Sequence, residues 1–138
     1  MVHSGLAPDF VLPAAKGPDV RLSGLRGRAV LLSFWARWCP SCVKKLPILG
    51  RLQDEFKEGL SILAINVEEE KELVKRFVEG KGVALRVLLD GGMVGSKYGV
   101  SRLPHLVLVD KKGEIAFAQS GSVSFELLRD EVKRVVVP

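Results

Sequence analysis

Cys39 and Cys42 are the only cysteines among 138 residues, and they follow directly on the apolar run Ala29-Val30-Leu31-Leu32-Ser33-Phe34-Trp35. An unbroken apolar stretch of that length predicts a strand buried on both faces. Such a strand needs a sheet covered on both faces, and the order of elements set out below, β-hairpin, then βαβαβ, then ββα, makes that a mixed central sheet flanked by helices. A Cys-x-x-Cys at the junction of that strand with a helix brings two sulfurs within reach of one disulfide. The chemistry this implies is thiol–disulfide exchange.

With a helix starting at Pro40, Cys39 is its N-cap and Pro40 its first residue, where a fixed φ suits the first turn. Pro40 has no N–H, so the donors free to face the Cys39 sulfur are those of Ser41 and Cys42. These donors and the positive end of the helix dipole favour thiolate over thiol at Cys39. Cys42, one turn further in, is expected to be more buried and to keep a higher pKa. Cys39 is thus the attacking sulfur and Cys42 the one that resolves a mixed disulfide.

Three other readings of the pair compete. Half a zinc site would need two more ligands, and His3 and His105 are the only histidines. A static disulfide would remove little chain entropy by closing so short a loop. Two inert core cysteines fit poorly with Pro40 and Ser41 between them.

The chain is long enough for one domain with its own core, spanning residues 1–138. The net charge of +5 is spread along the chain, and the pairs Lys44-Lys45 and Lys111-Lys112 read as solvated faces, so no nucleic-acid partner is expected. No run of about 18 apolar residues is present. Met1-Val2-His3-Ser4-Gly5 lacks the basic start and apolar core of a signal peptide. That leaves a cytoplasmic protein, or one whose export segment is not among these residues.

Residues 9–12 and 19–22 read as a β-hairpin joined through Lys16-Gly17-Pro18, and Ser23-Gly24-Leu25-Arg26-Gly27 as a turn. A helix over about 40–57 carries Val43, Leu46, Leu49, Leu52 and Phe56 at helical spacing, with Pro47 expected to kink it. Residues 60–67 form a strand, and 69–80 a helix with Leu73, Val74, Phe77 and Val78 inward. A strand near 84–89, a short helix near 92–98, strands at 105–110 and 114–119 around the turn Lys111-Lys112-Gly113, and a helix over 123–136 complete the order. Gly91-Gly92-Met93-Val94-Gly95 is a turn before the short helix rather than a dinucleotide fingerprint. The cysteines then fall at the carboxyl end of a strand, where open α/β sheets place their chemistry.

With Cys39-Pro40-Ser41-Cys42 after a strand, Pro47 inside the next helix and Leu103-Pro104 before a later strand, the chain resembles thioredoxin-fold proteins, and among them the TlpA/ResA-like thiol–disulfide oxidoreductases. The resemblance runs from about Ala7 to Val135. Ala7-Pro8-Asp9-Phe10-Val11-Leu12 is similar to that family's N-terminal hairpin, 25–36 to its lead-in strand, and 68–82 to its helical insertion. It implies a thioredoxin-like mixed central sheet flanked by helices, with the hairpin and the insertion added. It also implies a cis peptide before Pro104, which faces the cysteines and offers the Leu103 backbone for strand-like pairing with a substrate segment; a trans proline opening the next strand is the plain alternative.

Further roles follow from the same resemblance. Trp38, Pro40, Ser41, Leu103 and His105 would line the substrate site, with Trp38 packed beside the cysteines and shielding the disulfide. His105, in place of the usual threonine, either touches substrate or merely begins the strand. Trp35 reads as core. Glu69, or Glu68, matches the glutamate that follows the central strand in ResA-like members; it could move a proton at the sulfurs, or the acidic run could simply favour the start of the next helix. Ser33 replaces the buried aspartate of thioredoxins and cannot act as a base near neutral pH. Lys44 and Lys45 could favour the Cys39 thiolate, although exposed charges contribute little.

The resemblance implies an electron-donating enzyme that reduces disulfides of partner proteins such as apocytochrome c before haem attachment. A membrane thiol donor would regenerate the dithiol; the enzyme would be a monomer with no cofactor beyond the Cys39–Cys42 pair, located outside the cytoplasm. A thiol peroxidase of the peroxiredoxin kind would share the fold, but its chemistry uses a threonine and this chain has none. A non-catalytic binding module on the same scaffold is the third class.

Overall fold

A computed structural model describes residues 5–137; His3 and most of the first five residues lie outside them. Among the described residues, seven strands and four α-helices follow one another as β1 (Val11–Leu12), β2 (Val20–Arg21), β3 (Ala29–Trp35), α1 (Pro40–Phe56), β4 (Leu60–Val67), α2 (Lys71–Lys81), β5 (Arg86–Asp90), α3 (Met93–Lys97), β6 (His105–Val109), β7 (Ile115–Ser120) and α4 (Phe125–Val136). Five strands form one sheet in the order β5-β4-β3-β6-β7. β3 is parallel to β4 and antiparallel to β6, so the strand that carries the cysteines lies at the sheet's centre. All seven of its residues are buried, as the apolar run requires.

Alternate residues of the central strands feed opposite faces. Val30, Leu32 and Phe34 join Leu63, Ile65, Tyr98 and the N-terminal segment in one cluster. Ala29 and Leu31 join Leu49, Leu52, Leu128 and Val132, which places α1 and α4 on the other face. At the carboxyl end of that second face, Trp35, Cys39, Cys42, Leu46, Ala64, Val74 and Val78 make a third cluster that brings in α2. Helices thus cover both faces, with α3 and the N-terminal segment on one and α1, α2 and α4 on the other.

The small hairpin is shorter than its sequence suggests, pairing only Val11 with Arg21 and Leu12 with Val20. The stretch read as a turn at 23–27 begins as a 3₁₀ helix, Leu22–Leu25. Leu73 does not face inward: it is 41% exposed, on the flank of an α2 stripe that buries Val74 and Val78. At the sheet's far corner Asp110 holds the β6–β7 turn through bonds from the amides of Lys112 and Glu114, and Gly113 supplies the positive φ of 92°.

The N-terminal segment reaches both edges of the sheet. Ile115 N donates to the Gly5 carbonyl and Ala7 N to that of Gly113, while Ala15 N donates to Val87 and Leu89 N to Pro13. Between these ends, Tyr98 Oη donates to the Pro8 carbonyl at 2.5 Å. This strap closes the first cluster from β7 across to β5.

Candidate active site

Cys39 caps α1 in extended conformation (φ −100°, ψ 100°), and Pro40 is its first residue. The Cys39 sulfur accepts from the Cys42 amide at 3.3 Å and lies 3.5 Å from the Ser41 hydroxyl. Both are donors that would sharpen the preference for a thiolate. The two cysteines are joined as a disulfide with their Cα atoms 5.3 Å apart. Cys39 keeps 5% exposure against 1% for Cys42, so the outer sulfur is the one at the helix N-cap.

The peptide bond between Leu103 and Pro104 is cis. Leu103 packs its side chain against the cluster that holds both cysteines, and the Pro104 carbonyl accepts from Gly121 N at 2.7 Å. Among the described residues, neither the amide nor the carbonyl of Leu103 itself enters a backbone hydrogen bond. A short stretch of unpaired main chain therefore borders the disulfide.

Glu69 sits at the hub of a small polar network. Its Oε1 accepts from the Arg37 amide and from Asn66 Nδ2, both at 2.8 Å, and its Oε2 pairs with Arg37 Nε at 3.3 Å. The carboxylate is thereby tied to the loop that carries Trp38 and Cys39. Glu68 turns the other way at a positive φ of 57°, its amide donating to the Asp90 carbonyl. Its carboxylate lies against Gly92, where an added Cβ would come within 2.5 Å of Oε1.

The structure bears on three expectations. Trp38 does not shield the disulfide: its side chain is 70% exposed and stands out as an apolar landmark on the rim. His105 is 2% exposed, bonded through Nδ1 to the Ser120 hydroxyl at 2.8 Å and edge-on to Phe34, so it opens β6 from inside the sheet, the second of its two readings. Lys45 is committed to the Val123 carbonyl rather than to the Cys39 thiolate. Pro40 and Ser41 are exposed, whereas Trp35 is fully buried and stacks obliquely on Phe77. Ser33, in place of an aspartate, is buried.

Sequence reasoning missed Arg37, Asn66 and Asp90. Asp90, 4% exposed, accepts from the amides of Val94 and Gly95 and so holds the start of α3; an aspartate ahead of a glycine pair and a helix was a legible capping signal. Arg37 carried none, since its partner comes from another loop, whereas Asn66 bonds Glu69 only three positions further on. Among the described residues, no group of three or more His, Cys, Asp or Glu side chains is placed to hold a metal, and no helix is long and apolar enough to cross a membrane. A recess of about 610 Å³, lined by Arg28, Lys57, Leu60 and Arg86 among others, lies at the opposite, amino edge of the parallel strands. The cysteine pair instead lies at the carboxyl edge, itself buried but next in sequence to the exposed Trp38, Pro40 and Ser41.

Comparison with known proteins agrees with this geometry. The Redoxin family model matches residues 3–135. The thiol-disulfide oxidoreductase ResA of Geobacillus kaustophilus is 39% identical over 122 residues, 87% of this chain and 70% of that protein. ResA of Bacillus subtilis is 36% identical over 90% of this chain and 70% of its own length. Among solved structures, a Chlorobium tepidum protein described as a thiol:disulfide interchange protein DsbE superposes with a TM-score of 0.91 at 28% identity, covering 97% of each chain. The exposed lipoprotein thioredoxin Etrx1 of Streptococcus pneumoniae gives 0.84 at 28% identity, covering 92% of this chain and 99% of that one. With its thioredoxin-like sheet, its Cys39–Cys42 pair and these relatives, the chain belongs to the Redoxin family, among the ResA-like thiol–disulfide oxidoreductases.

Proposed function

We propose that this chain reduces disulfides in partner proteins. The observation that carries the reading is the helix-capping Cys39, whose sulfur accepts the Cys42 amide beside the unpaired Leu103 backbone. In the reduced state the Cys39 thiolate attacks one sulfur of a partner disulfide. The partner's other sulfur leaves as a thiolate and takes up a proton. Cys42, deprotonated in turn, attacks Cys39 Sγ, expels the partner's second sulfur and closes the intramolecular disulfide. Two electrons pass to the partner, and an external dithiol must return them.

Leu103 and Pro104 would hold the partner segment by main-chain pairing, with Trp38, Pro40 and Ser41 forming the exposed contact surface. Glu69 would either take the Cys42 proton or hold the Arg37 loop in place. The family resemblance supports apocytochrome c as a substrate class, a membrane thiol donor, a monomer of one domain, and a site outside the cytoplasm; the lipoprotein relative supports the last. No cofactor beyond the cysteine pair is required by this chemistry.

The test is a pair of variants with a model disulfide protein. Cys39→Ser should lose disulfide reduction, and Cys42→Ser should accumulate a mixed disulfide visible on non-reducing gels. Equal activity of Cys39→Ser and the unaltered protein removes the reading. The direction of electron flow follows from the equilibrium potential of the pair in thiol buffers. A value near or below about −250 mV marks a reductant, one near about −120 mV an oxidant.

A further inference from the structure

The Leu103 edge has a cation beside it that the fold does not use. Leu103 turns its side chain inward to the cysteine cluster, and the preceding Arg102 is exposed. The Arg102 guanidinium lies over Gly121, where an added Cβ would stand 3.2 Å from Nη2. Gly121, at a φ of 84°, is also the residue whose amide bonds the Pro104 carbonyl. The guanidinium thus lies beside the residue that bonds the Pro104 carbonyl, yet among the described residues it enters no ion pair and no hydrogen bond. Arg37, the arginine on the neighbouring loop, is by contrast matched by Glu69. An unpaired guanidinium offers five donors in a planar fork that fits a carboxylate.

We propose that Arg102 is a specificity-determining residue that selects partner disulfides with an Asp or Glu within two or three residues of the cysteine attacked by Cys39. The inference rests on the protein-disulfide reductase reading. A partner segment paired with the Leu103 backbone runs about 4.8 Å from it and advances about 3.3 Å per residue, so side chains one to three positions from the paired residue come past Arg102. Exposed Lys44, in the second helical position after Cys42, adds a second positive charge on α1. Acidic Glu68 and Glu70 stand at the end of β4, so the rim is charged unequally around the disulfide.

The test uses two disulfide peptides that differ only in an Asp or a Lys two residues from the reactive cysteine. The unaltered protein should show kcat/KM about five- to tenfold higher for the Asp peptide, as expected of one moderately exposed charge contact counted with its like-charge counterpart. Arg102→Glu should invert that ratio and Arg102→Lys should keep most of it. The preference should also fade as salt is raised from about 0.01 M to about 1 M. The same ratio in the unaltered protein and in Arg102→Glu overturns the proposal while leaving disulfide reduction intact. Unaltered protein that reduces neither peptide overturns the reductase reading, and this inference with it.

Discussion

Glu69 joins three polar partners with one carboxylate, and two of them belong to Arg37, two residues ahead of Cys39. Its 11% side-chain exposure leaves those bonds little competition from water. Glu69→Ala strands the Arg37 amide and the Asn66 side chain and should cost about 2–3 kcal/mol in urea unfolding, in the range for hydrogen bonds to a charged group. Glu69→Gln keeps an oxygen for both donors and should recover more than half of that. The two variants also separate the two roles open to this residue. A positioning residue gives slow reduction in Glu69→Ala that Glu69→Gln restores; a proton carrier gives loss in both, with the pH profile of the rate flattened. What could be read locally at this scale was the sulfur chemistry, because Cys39, Pro40 and Cys42 contain their own spacing and cap. Trp38 was misplaced, and the two readings of His105 could not be told apart, because burial of a side chain beside a site depends on what the rest of the fold brings over it. For Trp38 nothing arrives, and for His105 Phe34 and Ser120 do.

Elements built from local patterns were legible: the unbroken run of β3, the spacing of Leu46, Leu49 and Leu52 along α1, and the Lys111-Lys112-Gly113 turn all came from neighbours in sequence. The strap was only half legible. Its hairpin could be read, but its bonds to Gly113, Ile115, Val87 and Leu89 join residues about 70 to 110 positions apart, which no local pattern encodes. Tyr98 is the strap's central tether, fully buried with its hydroxyl on the Pro8 carbonyl. Tyr98→Phe leaves that carbonyl without its donor and should cost about 1–1.5 kcal/mol at neutral pH. The alkaline behaviour separates this tether from ordinary packing. Burial, and after it the Asp9 carboxylate, push the Tyr98 pKa well above its usual value. The folded protein therefore holds the phenol proton after the unfolded chain has released it, and stability contributed by the neutral phenol is lost as pH rises past about 10. Urea unfolding of the unaltered protein should weaken from pH 9 upward toward about 11 more steeply than that of Tyr98→Phe. Parallel curves would show that the phenol is not desolvated.

At the scale of the whole molecule, the disulfide has to be a reagent if the proposed function holds, and a reagent must be dispensable to the fold. The packing is consistent with that requirement. Of the three apolar clusters, the cysteines belong to one, at the carboxyl end of the sheet, while the two larger ones run beneath the strap and between the sheet and helices α1 and α4 without them. Closing a loop with a sequence separation of 3 restricts the unfolded chain by only about 2 kcal/mol on the chain-entropy estimate. Against that, the reduced form gains a Cys39 thiolate facing the Cys42 amide at the start of a helix, which returns about 1.4 kcal/mol for each unit by which its pKa falls. The two contributions have opposite sign, and the loop-closure one is small. Reduction with a phosphine should therefore shift the urea midpoint only slightly and leave the slope of the transition unchanged, since the surface exposed on unfolding is nearly the same. A structural disulfide predicts the other result: a large drop in midpoint, or a chain already unfolded once reduced. Running the same titration on Cys39→Ser/Cys42→Ser protein isolates the thiolate, because that variant has lost the loop closure and the charged sulfur together. Stability below that of the reduced protein would assign the difference to the thiolate at the helix N-cap, the same interaction that makes Cys39 the attacking group.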